Sequence, residues 1–164
     1  MSETLTKTIT AVNEPIKPYG SGSSEKESIK KEIERLKSKQ IEIPIIIGGE
    51  EIKTGNTATC VMPHNHNHVL ATYHQASEKE IQMAIESCLD AQKKWANTSL
   101  DKRCDIFQKM AELLQNKYRD IINASTMLGQ SKNIFQAEID SACELIDFFN
   151  FNCQYAQEIY ANQP

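Results

Sequence analysis

Three histidines at alternating positions, His64, His66 and His68, with His74 close behind, form the densest gathering of metal-ligand side chains in the sequence. On an extended backbone alternate residues share a face, so three imidazoles could converge on a transition metal. Metal sites, however, usually draw ligands from distant segments and brace them with outer hydrogen bonds. No cysteine or carboxylate stands beside this cluster, and Pro63 with Asn65 and Asn67 equally suits a polar turn between strands. The turn is the reading adopted. No metal ligand is assigned.

A second group is acidic: Glu138, Asp140, Glu144 and Asp147, on what reads as one helix. Spacings of four and three place Asp140, Glu144 and Asp147 on a common face. Paired carboxylates can move protons or bind metal inside a helical bundle. The Glu-x-x-His spacing of di-iron bundles is missing, because no histidine comes after His74. Most such carboxylates simply solvate a helix. Glu144, between Cys143 and Leu145, is expected to be partly buried.

The five cysteines, Cys60, Cys88, Cys104, Cys143 and Cys153, are odd in number, widely spaced and free of any CxxC pair. Neither a disulfide framework nor a zinc ribbon is indicated. They read as reduced thiols of an intracellular protein, mostly serving as small apolar residues. Nothing nearby marks one as a nucleophile. Nucleotide and hydrolase signatures (GxGxxG, GxxxxGK[ST], GxSxG, HExxH) are absent. Gly48-Gly49 is the sole glycine pair and no helix comes directly after it, so it reads as a hairpin turn rather than a phosphate cradle. No catalytic centre can be assembled.

Residues 1–23 read as a flexible or surface-draped arm ending in a Gly/Ser stretch. A polar helix is expected over 24–39, with only Ile29, Ile33 and Leu36 as a narrow apolar stripe. A β region comes next, over 43–76. It holds a hairpin at IPIIIGGEEI, then strands at TCVMP and HVLATYHQA around the turn His64-Asn65-His66-Asn67. Pro44 puts the first strand at an edge or starts it late.

A helical layer is expected over 77–162. Ser77 and Glu80 fit a capping box, and Ile81, Ala84, Ile85, Cys88, Leu89, Ala91 and Trp95 keep helical spacing. Thr98 or Ser99 should cap the next helix, with Ile106, Phe107, Met110, Leu113 and Leu114 as its buried face. After a weak break near Asn116 a helix runs to Leu128, with Gly129 as its stop. The last helix, from about Lys132 to Ala161, is apolar on several sides and needs more than one neighbour to cover it.

The chain has 164 residues, enough for one domain or a piece of a larger one, with 40% hydrophobic and 24% charged residues. Its net charge of −4 lacks the basic excess by which nucleic-acid binders release counterions from phosphates. No apolar run approaches the roughly 20 residues of a membrane-spanning helix. The first residues lack an apolar core for secretion, and the absence of Arg with the presence of Glu3 makes a poor transit peptide by composition. Nucleic acid and membrane are therefore not expected partners.

The words NEPIKPYG, IPIIIGGEEIKTGNT, VMPHNHNHVLATYHQASEKE and, above all, TMLGQSKNIFQAEIDSACELIDFFNFN resemble the delta-1-pyrroline-5-carboxylate dehydrogenase branch of the aldehyde dehydrogenases, over Asn13 to Pro164. The resemblance implies a mostly α segment with an N-terminal β-hairpin and short strands. This is a partial aldehyde dehydrogenase fold, the N-terminal flank of the α/β NAD-binding domain. It implies an intact enzyme that uses NAD to oxidise glutamate γ-semialdehyde to glutamate in proline breakdown in the mitochondrial matrix. Its partners would be the remainder of the dehydrogenase chain and further copies in a homo-oligomer.

By the same resemblance the catalytic cysteine, the glutamate base and the NAD loops lie beyond this segment, which then binds no cofactor and is inactive alone. Glu144 is the one residue to which the resemblance gives a substrate-binding role. Two other classes remain open on the residues alone: a non-enzymatic helical interaction module, and a histidine-rich metal-binding domain.

Overall fold

The computed structural model describes residues 8–163. Helix α1 spans Ser24–Lys37, and the Ser23 side chain accepts the Lys26 N–H at its N-terminus. Its single buried residue, Ile29, packs with Tyr19 and Ala124.

Strand β1 is Ile41–Ile43 and β2 is Ile45–Ile47, with Pro44 between them. β2 pairs antiparallel with β3, Glu50–Ile52. Gly48 and Gly49 join them at φ of 62° and 90°. Positive φ at both central residues is what a twist-matched two-residue hairpin requires, and glycine reaches it without strain. Strands β4, Thr57–Met62, and β5, Asn65–His74, form a second sheet in the order β1-β5-β4. In it β1 lies parallel to β5 at an edge. β5 starts at Asn65, so the turn is Pro63-His64 and not the four-residue His64–Asn67 turn expected. Asn65, His66 and Asn67 are strand residues, extended by the ladder to β4.

Helix α2, Glu78–Trp95, opens with the expected capping box: the Ser77 N–H donates to the Glu80 carboxylate at 2.8 Å. Helix α3, Leu100–Leu113, is capped by Ser99. A π-helical turn, Leu114–Tyr118, replaces the break expected near Asn116 and leads into α4, Arg119–Gln130. α4 runs through Gly129; its stop is Ser131, which takes the left-handed conformation at φ 57°. The last long helix is three pieces: α5, Ile134–Ala137, a π-helical stretch, Glu138–Cys143, and α6, Glu144–Ala161.

Small clusters make the core. Ile9, Leu100, Cys104 and Cys153 join the arm to α3 and α6, while Ala111, Leu114 and Ile146 join α3 to α6 further along. The face expected to be buried on α3 is largely exposed. Ile106, Phe107 and Met110 face solvent, and the buried residues are Leu100, Cys104 and Ala111, with Leu114 next to them. On α2 the apolar row Ile81, Ile85, Leu89 and Trp95 is likewise uncovered, and Glu80 is its one buried residue. A helical apolar stripe marks a face that needs a partner; it does not say that the partner is present.

Candidate functional site

The arm and the last helix build one another. Over residues 8–23 the arm, expected to be flexible or surface-draped, is bonded along the α5–α6 axis by side chains of that helix. Gln157 accepts from the Ile9 N–H at 2.9 Å and Gln154 from the Ala11 N–H at 2.8 Å. Asp147 accepts from the Asn13 side chain at 2.8 Å and the Glu14 N–H at 2.7 Å. Glu138 accepts from the Lys17 N–H at 2.8 Å and the Tyr19 hydroxyl at 2.9 Å. A segment without regular secondary structure thus has the N–H groups of Ile9, Ala11, Glu14 and Lys17 satisfied by carboxylates and amides. Residues 1–7 of the expected arm lie outside the described residues.

Glu138 is the hub. Its side chain is wholly buried and meets Arg119, itself buried, at 2.5 Å. Asn123 donates to it at 2.8 Å, and the remaining Arg119 donors go to Glu14 and to the Pro15 carbonyl at 2.9 Å. Burial alone would raise the Glu138 pKa, but hydrogen bonds from Arg119, the Lys17 amide and Tyr19 outweigh it and hold the carboxyl below its ordinary value. The Arg119 guanidinium is held more firmly protonated, because Glu138 and Glu14 overcome its burial. Tyr19 is pushed up by burial and by its bond to Glu138. Cys143, 3.4 Å from Arg119, is pushed up to about 11, first by burial and then by the charge of Glu138. That thiol is a poor nucleophile. The arrangement holds charge still, and it clamps the arm, α4 and the π-helical stretch into one unit.

Immediately after the clamp the helix presents Glu144 to solvent, where partial burial was expected. Its side chain makes no hydrogen bond or ion pair among the described residues. Phe148, one turn on, is also exposed. The other members of the acidic group separate: Asp140 pairs with Lys132 at 2.5 Å, Asp147 serves the arm, and Glu138 is buried. They do not form a joint acid–base site. Arg119 and Asn123, four apart on α4, were not singled out from the sequence. Their signal was an Arg and an Asn one turn apart, which share a helix face.

The histidines do not converge. His64 Nδ1 lies 2.7 Å from Ser131 Oγ, and His66 is exposed. His74, at the far end of β5, accepts the Gly55 N–H at Nδ1, so its Nε2 donates to Glu42 at 2.9 Å. Among the described residues no group of three or more His, Cys, Asp or Glu is placed to hold a metal. Nor is any described helix long and apolar enough to cross a membrane.

A family model described as "Aldehyde dehydrogenase family" matches residues 51–163. The mitochondrial delta-1-pyrroline-5-carboxylate dehydrogenase of Dictyostelium discoideum is 43% identical over 155 residues, 94% of this chain and 28% of that protein. The human mitochondrial enzyme of the same name is 40% identical over 159 residues, 97% of this chain and again 28% of the relative. The crystal structure of the Mycobacterium tuberculosis delta-pyrroline-5-carboxylate dehydrogenase bound with NAD superposes with a TM-score of 0.95 at 37% identity, over 99% of this chain and 30% of that one. The chain therefore spans about 28% of the length of the curated relatives it matches. Its architecture, mostly helical with a hairpin and short strands, is a part of the fold those proteins have.

Proposed function

The chain belongs to the aldehyde dehydrogenase family, and from that premise we propose that it is the N-terminal segment of a mitochondrial, NAD-dependent dehydrogenase. The substrate is glutamate γ-semialdehyde, the open form of 1-pyrroline-5-carboxylate, and the product is glutamate. The observation that carries the reading is the uncovered apolar band. Ile81, Ile85, Leu89 and Trp95 on α2, with Ile106, Phe107 and Met110 on α3, stand exposed on a chain that matches 28% of its relatives. Exposed apolar rows on two helices mark faces that need a partner. The remainder of a dehydrogenase is the partner that the likeness supplies.

In this reading the segment is inactive alone. Its glycine pair is spent on a hairpin turn, and Cys143 is held protonated. The nucleophile, the base and the NAD contacts come from the rest of the enzyme, which works as a homo-oligomer in the mitochondrial matrix. NAD, when bound there, accepts hydride. The segment contributes a wall: Glu144, fixed just beyond the Glu138–Arg119 clamp, meets the ammonium end of the substrate, and Phe148 covers its aliphatic part.

The test is a hybrid enzyme in which this chain replaces the matching region of the Dictyostelium discoideum relative. The expected results are NADH formation from 1-pyrroline-5-carboxylate by the hybrid, none by the segment alone, and a raised KM on Glu144→Ala. A monodisperse, folded hybrid that is silent with this substrate would refute the assignment. Unchanged kinetics for Glu144→Ala would remove Glu144 from it.

A further inference from the structure

We propose that Cys104 and Cys153 are a disulfide-forming pair, a modification site for low-molecular-weight disulfides that ties α3 to α6. The inference concerns the 164-residue chain by itself, in which the apolar faces of α2 and α3 are uncovered. Both residues are buried, at 3% exposure each, in the cluster that packs α3 on α6 beneath Ile9. Their geometry is reciprocal: Cys104 Sγ lies 4.0 Å from the Cys153 carbonyl oxygen, and Cys153 Sγ lies 3.7 Å from the Cys104 carbonyl oxygen. Each thiol therefore lies against the other residue's backbone, where α3 packs on α6. A disulfide demands close α-carbons and side chains directed at each other, which crossing helices with mutually directed cysteines can offer.

The other three cysteines lack this arrangement. Cys60 lies on β4 and Cys88 on the exposed side of α2. Cys143 is enclosed by Arg119, Glu138 and the Pro15 carbonyl.

A groove of about 390 Å³ gives access to the pair. It is lined by both cysteines and walled by Trp95, Phe107 and Phe148. Arg103 lines it too; one of its terminal nitrogens donates to the Tyr160 hydroxyl at 3.0 Å, while its buried Nε has no partner among the described residues. The Cys104 thiolate attacks the reagent disulfide, whose S–S bond breaks, and one reagent thiol leaves as a mixed disulfide forms. The Cys153 thiolate then attacks the Cys104 sulfur and expels the second reagent thiol. The two protein protons end on the two departing thiols. The pair is oxidised by two electrons and one reagent disulfide is reduced.

The experiment incubates the folded 164-residue chain with oxidised glutathione, blocks remaining thiols and maps the peptides by mass spectrometry. The expected product is a Cys104–Cys153 cross-linked peptide free of glutathione, reversed by reductant and lost in favour of mixed pairings when the reaction is run in denaturant. Cys153→Ser should halt at a glutathione adduct on Cys104. A folded wild-type chain that carries only stable glutathione adducts, that links through Cys60 or Cys88, or that leaves both Cys104 and Cys153 unreacted overturns the proposal. The wild-type map decides the matter even where the serine variant fails to fold.

Discussion

Replacing Glu138 by leucine removes the acceptor on which four donors converge: Arg119, the Lys17 amide, the Tyr19 hydroxyl and the Asn123 amide. The side chains of Arg119 and Glu138 are 3% and 0% exposed, so water cannot replace what is lost. Removing one partner of a buried ion pair costs about 3–5 kcal/mol, because the other charge stays buried and uncompensated. Glu14 still holds one Arg119 nitrogen, which draws the cost toward the lower limit. The stranded Lys17 N–H and Tyr19 O–H each add about 1 kcal/mol or more. A loss of roughly 5 kcal/mol or more is comparable to the whole stability of a marginal domain. The expected outcome in a urea titration followed by circular dichroism is a Glu138→Leu chain unfolded, or nearly so, before denaturant is added. The paired variant Arg119→Met with Glu138→Leu should regain part of the loss, because the buried guanidinium is then gone, although Glu14, 8% exposed, keeps only the bond from Gln115. A single variant that melts within about 1 kcal/mol of the parent would refute the clamp. So would a paired variant no better than the single one, since that result would place the cost in shape and not in charge.

The same carboxyl sets an acid limit. Its folded pKa is depressed, so its stabilisation is complete above the ordinary glutamate value of about 4.3 and is lost as pH falls through the folded value. Thermal melts of the parent should fall steeply below about pH 4, and those of the paired variant should fall less; parallel curves would refute the linkage. Closing the Cys104–Cys153 bond makes a loop of about 50 residues, for which chain entropy gives about 4 kcal/mol and a Tm gain of roughly 10 °C. A differential scan before and after oxidation would register it, and an unchanged Tm would point to strain. Ile85→Gln with Leu89→Gln should lower the binding of an apolar dye to the isolated chain without lowering its Tm, since both side chains are already exposed. A clear drop in Tm would mean that α2 is covered in solution.

Local chemistry was legible where it acts over a few residues. Gly48-Gly49 announced a hairpin because a tight turn needs positive φ at both positions. Ser77 with Glu80 announced the start of α2, and Ser99 that of α3, because free N–H groups need acceptors. The parallel pairing of β1 with β5 was not legible: Ile41 meets Ala71 across a long stretch of chain, and no residue type specifies such a register. The stop of α4 was misplaced by two residues, since Ser131 takes the left-handed conformation that glycine was expected to supply. Burial on α2 and α3 was misread for a broader reason. An apolar stripe records what a helix meets in its finished assembly, and the described residues hold only part of that surface.

The acidic group shows how a single backbone irregularity redirects side chains. In an unbroken α-helix, Asp140, Glu144 and Asp147 would share one face, and their spacing carries no sign of anything else. Glu138–Cys143 is π-helical, and each wider turn takes in an extra residue, which rotates the next stretch of helix by roughly 100° relative to an unbroken α-helix. Glu138 turns inward to Arg119, Asp140 reaches Lys132, Asp147 faces the arm, and Glu144 is left pointing into solvent. The fully paired clamp immobilises the helix at the point where Glu144 emerges. If the π-helical turn sets the direction of Glu144, deleting one residue within 139–142 should rephase α6 and disrupt the bonds of Asp147 and Gln154 to the arm together. Proteolysis near residues 11–14 would then be much faster than in the parent. An arm equally protected after the deletion would show that α6 is oriented by its packing on α3 instead.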